Sequence, residues 1–507
     1  MTTRRRTSPT AAAAEAFGVA LCALSSVAAA QTTPPAPSPT PAATLFDPKR
    51  PPERELETRL PDGFTLAAVG DLITTRPLAQ LLPADPGFAA VVKILREADV
   101  AYGNFETTAI DLDRFGGQSY PGIDDWALAA PPGVAKDLRT LGFDVVSRAN
   151  NHAMDYGIEG MRETGHWLDE AGIAWAGVGE NRGQARAARY LETPGARVGL
   201  VSMASTYRDY ADALPALGRA PGRPGINALR ASKTVAVTPE MLRELRSLKA
   251  ALDAPGKSCE MTERETARRK EVDAKASQEL KLFDTQFAVA ERPANRYAMN
   301  AVDLEEILRS VRLGKQHSDL LLVSIHSHDT GLGCEEPGDF LPVLAHASID
   351  AGAGAFLGTG EHRLMPIEIY KGRPIFYGLA NFLWSDMQEA LPPDVVETNR
   401  DLLAKAYADP QKATDADLNA LINANGFDDE RVFQTVVAAC RWDRGRLSEV
   451  RLYPVDLGYG LPLTKSGVPR LAAPAVARSI LERLQRISRP YGTVIAIEGN
   501  VGVIRVP

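Results

Sequence analysis

The chain has 507 residues, enough to bury a large core and to divide into two or three domains. Hydrophobic residues make up 45% of it and charged residues 24%, a globular balance, and 57 Lys and Arg against 64 Asp and Glu leave a formal net charge of −7. That mild acidity excludes a whole-protein electrostatic attraction to nucleic acid or to an anionic membrane, so no nucleic-acid partner is expected.

The N-terminus reads as a targeting segment. Arg4, Arg5 and Arg6 precede an apolar stretch from Phe17 to Val27, and Ala28, Ala29 and Ala30 offer a small-residue cleavage site. The stretch is too short to span a bilayer comfortably. A signal peptide over 1–30 predicts an exported protein, periplasmic or associated with the cell envelope. Residues 31–60, with Pro34, Pro35, Pro37, Pro39 and Pro41, read as a linker. Cleavage after Ala30 leaves Cys259, Cys334 and Cys440, an odd count with no zinc-module spacing, so no structurally essential disulfide is expected.

From Phe64 onward, short apolar runs alternate with stretches of helical spacing. Strands are expected at Phe64–Val69, Val100–Tyr102, Phe143–Val146, Ile173–Ala176 and Val198–Met203. Helices are expected at Val91–Ala98, Val134–Leu141 and Met161–Ala171. This rhythm predicts an α/β sheet with helices on its faces. It breaks over about 205–300, where the strongly charged piece from Thr262 to Leu282 suggests a mostly helical insertion. It resumes with a helix at Val302–Leu313, strands at Leu320–Ile325 and Ala355–Leu357, and a β-hairpin turning at Lys371-Gly372-Arg373. A polar helical excursion over 386–430 and a strand-rich C-terminal part follow. The domain is read as 61–385, completed by an extension over 386–507.

Polar residues able to bind metal stand just after successive strands. They are Asp71; Asn104 and Glu106; Asn150, Asn151, His152 and Asp155; His326 and His328; and His362. In open α/β sheets, ligands bind beyond the carboxyl ends of the strands, so distant stretches deliver these side chains to one place. Imidazole mixed with carboxylate and amide oxygen suits Zn, Mn or Fe. His152 is the candidate proton donor, since imidazole titrates near neutral pH. His166, His317 and His346 sit in or beside regular elements and are read as structural.

Several of these stretches resemble the CapA family of poly-γ-glutamate capsule synthesis proteins. They are Val69-Gly70-Asp71, Ala101-Tyr102-Gly103-Asn104-Phe105-Glu106, Ala149-Asn150-Asn151-His152 through Asp155-Tyr156-Gly157, and Pro366 through Tyr377 to Asn381-Phe382. The resemblance implies a calcineurin-like metallophosphoesterase sandwich with α/β/β/α layers. It implies one or two divalent metal ions held by Asp71, Asn104, Glu106, Asn151, His326 and His362, with Asp71 bridging or at the first ion. It gives His152 and Asp155 the catalytic roles. Beside these residues, Arg148, Asn150, His328 and Glu361 are read as the substrate side, with His328 or Glu361 able instead to stand in for a missing ligand. Where the family has Gly-His-His-Pro-His, this chain has Gly358-Thr359-Gly360-Glu361-His362, and His326-Ser327-His328 replaces a His-Trp-Gly stretch.

Two functions follow from the resemblance. One is a metal-dependent hydrolase of phosphoesters or γ-glutamyl amides. The other is a non-catalytic component that binds poly-γ-glutamate or another envelope polymer, or a membrane synthase or export complex, or that serves as a scaffold of an envelope biosynthesis complex with the insertion over about 205–300 as its partner surface.

Overall fold

A computed structural model describes residues 60–120, 126–252, 278–407, 409–426 and 429–506. The segment read as a signal peptide, nearly all of the stretch read as a linker and most of the Thr262–Leu282 piece lie outside the described residues.

Two large sheets and their helices form the body. The first sheet is built around β1 (Phe64–Thr74). After it come α1 (Pro86–Glu97), β2 (Val100–Phe105), α2 (Gly133–Leu141), β3 (Val145–Ser147), α3 (Gly157–Glu170) and β4 (Ala174–Ala176). β1 to β4 lie side by side and parallel. The second sheet begins with β5 (Arg189–Glu192) and β6 (Arg197–Ala204).

The insertion contributes β7 (Ala231–Val237), α4 (Pro239–Leu252), β8 (Glu279–Leu282), β9 (Thr285–Val289) and β10 (Ala294–Met299). Its strands pair in the order β8-β9-β7-β10. Among the described residues the insertion is therefore a sheet with one helix, not the mostly helical arm expected. The cause is local: Val235 and Val237 from β7 and Phe287 and Val289 from β9 pack with Leu280, Leu282 and Leu242 into a small core of their own, which alternating β-branched and aromatic residues favour.

α5 (Ala301–Gln316), β11 (Leu320–Ser327), α6 (Phe340–Asp350), β12 (Ala355–Gly360) and the hairpin β13 (Ile367–Tyr370) and β14 (Arg373–Phe376) complete the second sheet, in the order β13-β14-β12-β11-β6-β5. The hairpin turns at Lys371 and Gly372, both in the left-handed region (φ 50° and 71°), as a two-residue turn of this type requires. β15 (Asn381–Ser385) then returns to the first sheet. Short helices at Pro393–Thr398, Arg400–Ala406 and Asp415–Gly426 form the excursion read from the sequence. β16 (Gln434–Asp443), β17 (Arg446–Asp456), α7 (Pro474–Ser488), β18 (Ala496–Glu498) and β19 (Val501–Arg505) extend the first sheet beyond β1.

Residue parity sets the packing. On β1 and β2, Leu66, Ala68, Val100 and Tyr102 share one buried cluster with Leu200, Leu320, Leu322 and Leu357 of the second sheet. The intervening Ala67, Val69 and Ala101 face Val91, Leu95 and Leu138 of α1 and α2. On β11, Leu321, Val323 and Ile325 face Ile307, Leu308 and Leu344 of α5 and α6. Continuing the inward parity, Asn104, Glu106, Ser324 and His326 point into the space between the two sheets.

β1 changes partner along its length. Its first half pairs with β16, and its second half, from Asp71, pairs with β15. The register breaks on both sides of Asp71. The chain before β15 crosses so closely that a Cβ on Gly70 would stand 1.7 Å from the Ala380 carbonyl oxygen, which is why only glycine fits there. Ala380 itself is held at φ 57°.

Candidate functional site

Asp71 is fully buried at the strand end, with Asn104 opposite it on β2 and Asn381 opposite it on β15. Its Oδ1 accepts from Asn104 Nδ2 at 2.8 Å and its Oδ2 from the Gly360 N–H at 3.1 Å. His326 and His362 each place Nδ1 3.7 Å from its carboxylate. Burial alone would raise its pKa, but the two imidazoles and the Asn104 amide outweigh that and hold it at about 2.

Glu106 is also fully buried, yet both its carboxylate oxygens lack a hydrogen-bond partner. Burial first, and the Asp71 carboxylate second, push its pKa well above the ordinary glutamate range. Of the two acids, Asp71 is the one whose charged form the surroundings favour, and Glu106 the one whose charged form they disfavour.

His326 lies between them. Its Nδ1 is 3.1 Å from Asn104 Nδ2 and 3.3 Å from the Thr359 hydroxyl, and its Nε2 is 3.0 Å from His328 Nε2 and 3.4 Å from Glu106 Oε1. Burial, and then His326 itself, hold the His328 pKa well below the ordinary value. His362 sits on a strained turn at φ 56°, which aims its Nδ1 at Asn381 Oδ1 at 2.8 Å. Burial lowers its pKa to about 4, against the opposing pull of Asp71.

Two triads can therefore converge on a cation: Asp71 with Glu106 and His362, and Glu106 with His326 and His328. Within each, the ligand atoms lie within 4.8 Å of one another. Glu106 belongs to both, so the geometry gives the shared place to Glu106, while Asp71, which the resemblance puts either bridging or at the first ion, belongs to one. His328 stands among the ligand candidates, the substitute place that the sequence leaves open to it.

The turn after β3 supplies the other half. Asn150 Nδ2 donates to Asn104 Oδ1 at 3.2 Å and to the Phe105 carbonyl at 2.9 Å, and its Oδ1 accepts from the His152 N–H at 3.1 Å. Asn150 thus braces the frame. Asn151, expected at the metal, has a buried Oδ1 without a hydrogen-bond partner. His152 Nδ1 is 2.7 Å from Asp155 Oδ2, which also accepts from the Leu128 N–H at 2.8 Å. A carboxylate there accepts from Nδ1–H and leaves Nε2 as the working nitrogen. Trp126 connects the halves: its ring packs on His152 (6.4 Å between centroids) and on Trp384 (5.8 Å), which packs on His362 (5.1 Å).

Arg148 does not join the group. It is 1% exposed, donates Nη1 to the Met161 carbonyl of α3 at 2.9 Å, and lies over the Trp175 ring. The step after inward-facing Ser147 turns it into the helix layer, so the substrate role expected for it is corrected. Glu361 has its Oε1 buried without a hydrogen-bond partner, and burial, with Asp329 nearby, raises its pKa to about 8.

Three participants are given no role by the sequence, although Asn381 lies in a stretch that carries the family resemblance. Asn381 orients His362, Arg208 from the insertion approaches Asp155 Oδ1 at 3.1 Å, and Asp386 accepts from Trp126 Nε1 at 3.2 Å.

The family model for "Bacterial capsule synthesis protein PGA_cap" matches residues 65–386, which contain every residue of this site. The chain belongs to that family. Two uncharacterized proteins of Sinorhizobium fredii are each 43% identical to it over 459 residues, covering 89% of this chain and 94% of their own. The PGA biosynthesis protein CapA of Bacillus subtilis is 23% identical, covering 65% of this chain and 66% of its own. The capsule biosynthesis protein CapA of Bacillus anthracis is 23% identical, covering 64% and 60%. The family match ends at Asp386, so β16 to β19 and α7 lie beyond it.

Proposed function

We propose that this PGA_cap family member serves capsule or polyglutamate synthesis at the cell envelope, after export, as a metal-dependent hydrolase of phosphoryl or γ-glutamyl amide bonds. The observation that supports it most is Glu106: a fully buried carboxylate with neither oxygen hydrogen-bonded, beside a second buried carboxylate and three imidazoles. Such a group is costly unless an outside positive charge completes it. The donor set, carboxylate plus imidazole, suits Zn, Mn or Fe.

Asp71, Glu106, His326, His328 and His362 would hold one ion, or two sharing Glu106. When bound, such a cation supplies Lewis acidity at a phosphoryl or carbonyl oxygen. Asn104 and the Gly360 N–H keep the Asp71 carboxylate aimed, and Asn381 does the same for His362. His152, its Nδ1 tied to Asp155, presents Nε2 as the proton donor to a leaving group. Trp126 and Trp384 pack in turn between His152 and His362. The two sheets enclosing one core, with α1 and α2 outside one and α5 and α6 outside the other, support the four-layer sandwich that this chemistry uses elsewhere.

The alternative, a polymer-binding protein without turnover, is favoured by Thr359. It stands opposite His326 on β12, with its hydroxyl 3.3 Å from that ring, and thins the ligand set there. Metal-loaded protein assayed on aryl phosphoesters and on γ-glutamyl amides separates the readings. Turnover that His152→Gln abolishes while metal content stays constant supports the hydrolase. Loaded protein without turnover of either class refutes it.

A further inference from the structure

Four arginines gather where the turn after β12 meets the C-terminal part of the chain. Arg363 directly follows His362, and its Nη2 donates to Asp429 at 3.3 Å. Arg431 pairs with the same Asp429 at 2.6 Å and stands 3.6 Å from Glu335. Arg486 of α7 approaches Glu335 at 3.7 Å. Arg483, almost one turn earlier on α7, is only 7% exposed, and its Nη1 donates to Gln434 Oε1 at 3.1 Å.

The group has more donors than acceptors. Nε and Nη2 of Arg483 are buried with no hydrogen-bond partner, and so is Nε of Arg363. Three carboxylates face the four guanidiniums: Asp429, Glu335 and, across from Arg363, Glu361. A buried guanidinium keeps its charge, so its empty N–H groups are costly until an oxyanion accepts from them. The planar fork of N–H donors matches the two oxygens of a carboxylate or of a phosphate. The cluster also adjoins the strand-end site through two links. Arg363 is the next residue after His362, and the Val432 carbonyl accepts from Asn381 Nδ2, the residue that orients His362.

We propose that Arg363 and Arg483, with Arg431 and Arg486 at the rim, form an oxyanion-binding subsite that takes a carboxylate or phosphate group of an anionic chain bound beside the strand-end site. The inference rests on the reading that such a chain is the ligand of that site, but not on turnover. It makes the subsite part of what selects the substrate: an anionic unit docks on the arginines while the bond to be attacked lies between His362 and His152. β16 and α7, outside the family match, supply Gln434, Arg483 and Arg486.

The test is calorimetric titration of the full chain with a short γ-linked glutamate oligomer, and separately with inorganic tripolyphosphate, with metal content measured on the same samples. Variants are Arg363→Gln, Arg431→Gln and Arg483→Gln, with Arg441→Gln, an exposed arginine paired with Asp443 near the end of β16, as control. Thermal melting checks folding, and Arg363→Gln and Arg431→Gln keep the test open should Arg483→Gln fail to fold. The expected result is binding that weakens with salt and falls by about tenfold or more in Arg363→Gln, while Arg441→Gln is unaffected. Arginine-dependent binding of the oligomer identifies a carboxylate ligand; the same dependence for tripolyphosphate alone identifies a phosphate ligand. Binding of neither probe, or binding indifferent to all three variants, overturns the subsite. Because metal content is read independently, that failure is distinct from failure of the metal-dependent reading, in which the arginine effects persist in metal-free protein.

Discussion

The two halves of the site are satisfied in opposite ways. Around His152 the polar groups answer one another: Ser147 and Asn150 donate to Asn104, Asn150 accepts from the His152 backbone, and Asp155 holds the His152 ring. Around Glu106 they do not. Two carboxylates and three imidazoles crowd together, both Glu106 oxygens are unpaired, and two of the imidazoles are held below their ordinary pKa. The first half is a frame that the chain largely completes by itself, the buried Asn151 Oδ1 excepted. The second is a set of ligands, one of them a carboxyl whose charge is disfavoured by burial and by Asp71, that an outside positive charge would complete. The contrast implies that substitutions in the frame act on the folded chain whatever is bound, and substitutions in the ligand set act through what is bound.

The largest effects test the ligand half. Asp71→Asn is expected to weaken binding of Zn, Mn or Fe by more than about a hundredfold, as read by metal titration. Turnover should vanish with it. In the frame, His152→Gln or Asp155→Asn is expected to reduce turnover by about 10²- to 10⁴-fold with metal content unchanged. Equal loss of metal in these variants would break the contrast.

Stability sharpens it next. Asn104→Ala removes the donor to Asp71 and the acceptor for Ser147 and Asn150, leaving buried groups unanswered. It should cost about 2–4 kcal/mol in chemical denaturation, with or without metal. Glu106→Gln should behave otherwise, within about 1 kcal/mol of the parent when metal is absent. The pH dependence carries the same sign. In metal-free protein folded Glu106 keeps its proton above the ordinary glutamate range while the unfolded chain releases it, so the folded state binds more protons. Stability from this group is thus complete below the ordinary range and declines as pH rises from it toward the elevated folded value. Glu106→Gln should flatten that slope. The contribution of Asp71 lies lower and has the opposite sign: it is present above the ordinary aspartate value and lost as pH falls toward about 2. The smallest effect is expected at Arg148→Met, which leaves turnover unchanged because that side chain lies in the helix layer.

Much of this arrangement is legible in the sequence because β parity and strand ends are local properties. Asp71, Asn104, Glu106, His152, His326 and His362 each follow an apolar run, and the hairpin before β15 declares itself through Lys371-Gly372. What is not legible depends on pairing between distant segments. Asn381 becomes a site residue only because β15 lies beside β1. Arg208 looks like any other arginine until the insertion carries it to Asp155. Arg148 was misread because nothing local to Ser147-Arg148 says that the chain turns outward there. The sheet of the insertion was hidden by its charged residues, since its small apolar core is assembled from three separate strands and a helix.

The central claim is that the buried acids and imidazoles around Glu106 hold a divalent cation. Its most direct test is the metal content of the full chain purified without chelator and reconstituted with Zn, Mn or Fe, beside Glu106→Gln and His326→Ala. Near-stoichiometric metal that falls in both variants is the predicted result. A parent chain that stays metal-free after reconstitution would contradict the claim.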